Sequence, residues 1–329
     1  MTDQPLKLSR RSALAALGGT AVLAGAGSLG FAPAARAAAP QLGPSMPGHF
    51  RFKLGEFEVT TILDGAIQLD GPHPIFGNNM AAEDVRKLAE ENFLPPSRFE
   101  ISFTPVVVNT GKELILFDTG NGAARRPNAG KLGAMLESAG FTADQIDIVV
   151  ITHFHPDHIG GLMEDGKPLL PNARYVTGAT EYDFWSHDDR LTGPTEGVAK
   201  LTRANVVPLA EKATFIKGGT DVATGITAID APGHTPGHMG YNVESGGKRL
   251  VLIADACNHY VVSLQRPDWH VRFDVDKDMA VATRKKLLGM IAADKVPFAG
   301  YHMPFPAVGY LEPMGDGFRY NAASYQLGL

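Results

Sequence analysis

Apolar and polar residues alternate along Phe50-Arg51-Phe52-Lys53-Leu54 and again along Phe57-Glu58-Val59-Thr60-Thr61-Ile62-Leu63, with Gly55-Glu56 between them. A period of two on either side of a short turn predicts a β-hairpin. Asp64-Gly65 predicts a further turn, and residues 71–79, with Pro72, Pro74, Gly71 and Gly77, predict a loop. The pattern then predicts a helix over 81–92, strands over 103–109 and 113–117 joined at Gly111, and a helix over 131–139 ended by Gly140. Asp147-Ile148-Val149-Val150-Ile151 is largely apolar and β-branched, as a strand covered on both faces must be. Further on come a strand at 174–177, helices at 180–187 and 191–204, and strands at 226–229 and 239–243. Residues 258–276 read as irregular, 277–293 as an amphipathic helix, and the tail from Ala307 holds short strand-like runs. No repeat of solenoid type is present. Strand-rich blocks recur in two halves, which suits an α/β sandwich of two sheets between helices.

Composition adds little to that picture: 329 residues, 44% hydrophobic and 20% charged, suit one large soluble domain. The N-terminus changes it. Ser9-Arg10-Arg11 precedes Ala13-Leu14-Ala15-Ala16-Leu17 and an Ala/Gly-rich run to Phe31, and Ala35-Arg36-Ala37 offers small residues where a signal peptidase reads. These features predict a bacterial Tat signal over 1–37, recognised by the Tat export machinery, and a periplasmic or secreted domain over 38–329 with no stable membrane insertion. Residues 38–48 read as an extended arm. The leader carries a net +3 within a whole of −5, so the remainder carries −8. That acidity argues against nucleic acid as a partner. Cys257 is the only cysteine, which excludes an intramolecular disulfide.

The candidate chemistry lies in Thr152-His153-Phe154-His155-Pro156-Asp157-His158-Ile159-Gly160-Gly161, directly after the 147–151 strand. His153 and His155 are two apart, so on an extended segment they face the same way and reach one metal. Asp157 and His158 follow Pro156, where the chain turns, and are free to face a second point. Imidazoles with a carboxylate suit zinc first, with iron, manganese or cobalt as alternatives.

His153-x-His155-x-Asp157-His158 resembles the signature of the metallo-β-lactamase fold superfamily, and the resemblance extends over residues 50–305. It implies an αββα sandwich of two mixed sheets. It also implies a later histidine, aspartate and histidine, for which the candidates are His234, Asp255 and His302; each follows a short strand-like run. By the same resemblance His153, His155 and His234 hold one divalent metal, Asp157, His158 and His302 a second, and Asp255 bridges. Asp118, in Asp118-Thr119-Gly120, either supports the metal loop as in the family or caps a turn. Two such ions lower the pKa of a shared water and yield a bridging hydroxide that attacks a carbonyl or phosphoryl centre, with Asp157 or Asp255 moving the proton. The implied activity is hydrolysis without a serine or cysteine nucleophile. Cys257, two residues after Asp255, reads as a small buried residue, since Asp255 fills the ligand slot.

Within that superfamily the leader and the runs Ala231-Pro232-Gly233-His234-Thr235-Pro236-Gly237-His238, Asp255-Ala256-Cys257 and Tyr301-His302-Met303-Pro304-Phe305-Pro306 resemble methyl parathion hydrolase and its aryl esterase and lactonase relatives. This implies a small-molecule aryl ester or lactone substrate, with an organophosphate triester as a further one. N-acyl-homoserine lactonases share the ligand pattern, but typically carry tyrosine where Asn258 stands; that reading, and a non-catalytic metal-binding protein, are the alternatives. Candidate pocket residues are His73, Phe76, Trp185, Asn258, His259, Val271 and Phe273, with Trp185 equally suited to the core. A homodimer is expected only by analogy.

Overall fold

The computed structural model describes residues 45–325 together with Gln41 and Gly43. The predicted leader, 1–37, lies outside them. The chain divides into two units, residues 1–45 and 46–329, and every element named here belongs to the second.

The alternating N-terminal runs form the predicted hairpin, β1 (His49–Leu54) and β2 (Phe57–Ile62). The expected turn at Asp64-Gly65 is instead the start of β3 (Gly65–Asp70). It pairs antiparallel with β4 (Arg98–Phe103), a strand the pattern did not suggest. Between them lie the proline-rich loop and α1 (Ala82–Glu91). The run expected over 103–109 breaks at Thr104-Pro105, so Phe103 closes β4 and β5 (Val106–Asn109) begins a separate strand. Then come β6 (Leu114–Phe117), α2 (Leu132–Ser138), β7 (Ile148–Ile151), the short α3 (Pro156–Ile159) and a small hairpin, β8 (Met163–Glu164) with β9 (Lys167–Pro168). β10 (Arg174–Gly178), α4 (Ala179–Ser186), α5 (Glu196–Asn205) and β11 (Ala213–Ile216) complete this half. The C-terminal half supplies β12 (Asp221–Ala223), β13 (Ile226–Asp230), β14 (Met239–Ser245), β15 (Lys248–Ala254), α6 (Val262–Gln265), α7 (Lys277–Asp294), β16 (Phe298–Gly300), β17 (Val308–Met314) and β18 (Gly317–Ala322).

Two seven-stranded sheets result, ordered β1-β2-β5-β6-β7-β10-β11 and β12-β13-β14-β15-β16-β17-β18. Both are mixed: β6-β7-β10-β11 and β15-β16 run parallel, their neighbours antiparallel. The reason for unbroken apolar runs is plain in the packing. In β7, Ile148 and Val150 face the other sheet while Val149 and Ile151 face the helices. In β15, Leu250 and Leu252 face the first sheet while Val251 and Ile253 pack with Leu287, Leu288 and Ile291 of α7. A strand buried on both faces cannot alternate polar with apolar. The architecture is therefore the expected αββα sandwich. α7 starts where Asp276 accepts the N–H of Met279 at 2.9 Å. Among the described residues, no helix is long and apolar enough to cross a membrane.

Asp64 explains why β3 leaves β2 where it does. Buried at the bend, its Oδ2 accepts the backbone N–H of Asn121 and Gly130 (both 3.0 Å) and Asn121 Nδ2 (2.9 Å), and its Oδ1 accepts the N–H of Leu132 (2.9 Å). Gly120 passes so close, at φ +73°, that a Cβ there would lie 2.5 Å from the Asp64 carboxyl carbon. Asp64→Ala leaves these buried donors without a partner. It is expected to destabilise the protein by about 3 kcal/mol or more, seen as a lower urea midpoint at unchanged slope. An unchanged midpoint would contradict this role.

Candidate metal centre

The seven candidate ligands come from four separated places in the chain, and each place begins just past the end of a strand. His153 and His155 follow β7; Asp157 and His158 lie on α3; His234 follows β13, Asp255 follows β15 and His302 follows β16. His153, His155, His234 and Asp255 form one group and Asp157, His158, Asp255 and His302 another, with ligating atoms within 4.8 Å of one another in each. Asp255 alone belongs to both. His155 and Asp157 are half-buried, and the other five are buried.

Hydrogen bonds behind the imidazoles fix which nitrogen faces inward. His158 Nδ1 donates to Asp118 Oδ2, His234 Nδ1 to Asp274 Oδ1 and His302 Nδ1 to the Ser102 carbonyl, each at 2.8 Å. Their Nε2 atoms therefore face inward, towards the other candidate ligands. His153 turns Nδ1 to Thr152 Oγ1 (3.1 Å), and that hydroxyl donates to Asp118 Oδ2 (2.8 Å). Asp118, at φ +60°, also accepts the Thr152 N–H, so it supports the metal loop rather than merely capping a turn. Two buried atoms, His158 Nε2 and Asp255 Oδ1, have no hydrogen-bond partner. Buried polar atoms are seldom left so, and here both point among ligating atoms; a pair of divalent cations fits this donor set.

The electrostatics divide the imidazoles: burial opposes their charge, but the buried carboxylates, Asp255 above all, raise His158, His234 and His302. Burial opposes the charge of His153 and His155, holding the first well below the usual range and the second at about 3. Both are neutral and ready to ligate. Burial also opposes charge on His234, yet hydrogen bonds to Asp255 and Asp274 push it up to about 9. Burial would raise Asp157 and Asp255, but for Asp157 the neighbouring His158, and for Asp255 chiefly His302 and His158, hold it ionised; Asp157 sits at about 2. Carboxylates kept charged in a buried site are what a cation requires.

Several supporting residues were not read from the sequence. Glu181, buried on α4, accepts the Phe154 N–H and Trp185 Nε1 on one oxygen and Thr235 Oγ1 and the Gly237 N–H on the other, at 2.8–2.9 Å. It ties the His153-Phe154-His155 loop to the His234 loop. Asp274 passes from His234 to Arg284 Nη2 (2.9 Å), and Arg284 is itself fully buried on α7. His238 accepts the Asp255 N–H at Nε2 and donates from Nδ1 to the Ala231 carbonyl, both at 3.0 Å. Tyr301 donates to the Asp157 carbonyl at 2.5 Å. His238 and Tyr301 left a trace in the sequence, the first as the second Gly-His of one run and the second at the head of the run that holds His302.

The candidate pocket residues are scattered. Phe273 lines the cavity over the metal centre. Asn258 is buried and donates to Asp255 Oδ2 (2.9 Å), so it orients the shared carboxylate. Trp185 is in the core behind His155, ring centroids 6.3 Å apart. Phe76 and Val271 bridge to each other within another core cluster, and His259 packs edge-on to Phe76 at 5.3 Å. His73 is half-buried in the proline-rich loop and does not line the cavity. Cys257 is fully buried, its thiol pushed up to about 12 chiefly by burial, and it belongs to neither ligand group.

The Metallo-beta-lactamase superfamily pattern matches residues 104–297, over half of the chain. The chain belongs to that superfamily. This metallo-beta-lactamase fold superposes on AidC, a dizinc quorum-quenching lactonase in complex with a product, at TM-score 0.77 and 29% identity over 84% of this chain and 98% of the other. On the hydrolase AbOPH, of the beta lactamase superfamily, the TM-score is 0.79 with 26% identity, covering 86% and 99%. A probable metallo-hydrolase of Mycobacterium tuberculosis is 25% identical over 190 residues, 47% of this chain and 56% of that protein. An N-acyl homoserine lactonase of a Bacillus species is 22% identical over 168 residues, 51% and 60% of the two. The chain thus spans little more than half the length of these curated relatives.

Two outcomes follow. Asp274→Ala frees the His234 ring and is expected to lower zinc affinity about 10- to 100-fold in competition with a chromophoric chelator; unchanged affinity would contradict the positioning role. His259, whose Nδ1 accepts the N–H groups of Val261 and Val262, is lowered by burial from 6.5 to about 4. The unfolded chain takes up that proton near pH 6.5 and the folded one only near 4. Stability is therefore full above 6.5 and falls across this window, by up to about 3 kcal/mol. In His259→Asn, denaturant unfolding should lose about that much less between pH 7 and pH 4 than in the wild type; equal losses would contradict it.

Proposed function

We propose that this superfamily member is a dinuclear-metal hydrolase of carboxylic esters, with aryl esters and aryl lactones as its substrates. The observation that carries this reading is the cavity. Its floor holds Asp255, the residue common to both ligand groups, and above it lies a space of about 370 Å³ walled mainly by apolar side chains. Neither serine nor cysteine lines it. A flat apolar body bearing one polar, hydrolysable group suits such a space.

Two divalent ions in these groups supply Lewis acidity and water acidified towards neutrality. The chain's own residues do the rest. His153, His155 and His234 would hold one ion, Asp157, His158 and His302 the other, and Asp255 belongs to both groups. Asp255 is committed to Asn258 and His302 through Oδ2. Asp157 is the more accessible carboxylate, with Oδ2 3.5 Å from both His158 Nε2 and His302 Nε2. It is the group placed to carry the proton to the departing oxygen. Hydrolysis adds hydroxyl to the acyl carbon, breaks the carbon–oxygen bond and returns that proton to the alcohol or phenol.

A second reading, an acyl-homoserine lactonase, draws on the likeness to the dizinc lactonase. Initial rates separate the two, and an organophosphate triesterase from both. The metal-loaded protein is expected to open dihydrocoumarin with kcat/KM at least about tenfold above that for methyl parathion and for a long-chain acyl-homoserine lactone. Preference for the homoserine lactone would establish the second reading, and preference for methyl parathion a triesterase.

A further inference from the structure

The acidic groups lining the cavity, Asp157 and Asp255, are both assigned to metal. Apart from the candidate ligand imidazoles, the other ionisable groups in the lining are two guanidinium groups, Arg125 and Arg272. They come from distant parts of the chain: a single turn at Ala123–Arg125 after β6, and the irregular stretch between α6 and α7. Neither guanidinium has a hydrogen-bond or ion-pair partner among the described residues, whereas the next arginines along the chain, Arg126 and Arg266, are engaged. Arg126 donates to the Gly130 carbonyl and to both oxygens of Glu164, and Arg266 donates to the Gln265 carbonyl. The Arg272 guanidinium lies 5.3 Å over the Phe273 ring, and Phe273 is itself in the cavity wall. Stacking of this kind holds the charge in place without neutralising it.

A lone exposed arginine is ordinary solvated surface. Two of them, uncommitted, in one cavity of a chain whose remainder carries −8, are a local reversal of sign. Such a reversal draws anions to the site. The rest of the lining is mainly apolar, with Ile67, Leu69, Ile101, Phe103 and Val198 in it beside Phe273.

We propose that the preferred substrates are esters or lactones bearing a carboxylate away from the scissile bond, with Arg125 and Arg272 binding that carboxylate and the apolar wall taking the part between. The planar fork of a guanidinium matches a carboxylate with two parallel hydrogen bonds. This inference rests on the hydrolase reading and adds the class of substrate to it.

The test compares 4-nitrophenyl hexanoate with the mono-4-nitrophenyl ester of adipic acid, which replaces the terminal methyl by a carboxylate. In the metal-loaded wild type, kcat/KM is expected to favour the carboxylate by at least about tenfold, and the ratio to shrink as salt rises from 0.05 to about 0.5 M. In the Arg125→Ala/Arg272→Ala double variant the ratio is expected to fall to about one. A ratio near one in the wild type, or a ratio kept by the double variant, overturns the proposal and leaves the hydrolase standing. Turnover of neither ester counts against the hydrolase instead. Calorimetric affinities of adipate and hexanoate for the metal-loaded protein then give the same ratio without turnover. Adipate no tighter than hexanoate in the wild type, or equally favoured in the double variant, overturns the proposal there too.

Discussion

Packing two carboxylates and five imidazoles within a few ångströms of one another, mostly away from water, opposes folding, because each loses hydration and like charges are forced together. The structure meets this with a second layer of partners. Asp118, Asp274 and the Ser102 carbonyl each take an N–H from a ligating ring, and His238 and Asn258 hold the backbone and side chain of Asp255. With the outward nitrogens occupied, the inward ones crowd against one another and the Asp255 carboxylate, that of His158 without a hydrogen-bond partner, and a pair of cations suits the set.

That requirement explains the two sheets. One strand end cannot present seven ligands, so they are drawn from both layers: His153 to His158 from the first sheet, His234, Asp255 and His302 from the second. The layers must then be held in register at this edge. Glu181 joins the two histidine loops through three hydrogen bonds, and the Met239 N–H donates to the Thr152 carbonyl at 3.0 Å across the sheets. A Cβ at Gly237 would lie 2.1 Å from the Glu181 nitrogen, so that approach is closed to any larger residue. Burial pushes the Glu181 carboxyl up even as these bonds favour its ionised form.

Most of the sandwich was legible in the sequence, and so were the seven candidate ligands that the fold gathers into two groups, because both signals are local: apolar runs bounded by turns, and histidines at fixed spacing after a strand. What escaped depends on distance in the chain. β3 and β4 pair across an intervening loop and helix, so neither carries a strong pattern of its own. Arg284 sits at the centre of the buried face of α7, where periodicity alone expects an apolar side chain, and only Asp274 and three carbonyls accommodate it there. The pocket candidates fared unevenly for the same reason. Phe76, Trp185 and Val271 are as apolar as true wall residues, and which way each faces is set by neighbours far along the chain. Arg125 and Arg272 looked like any surface arginine until the fold brought them to one cavity.

The central claim is that two metal ions share Asp255. Anomalous diffraction from crystals of the zinc-loaded protein, with metal content measured on the same sample, tests it most directly. The account predicts two zinc ions per chain, one among His153, His155 and His234 and one among Asp157, His158 and His302, with Asp255 ligating both. A single ion, or two ions with Asp255 bound to only one of them, would contradict it.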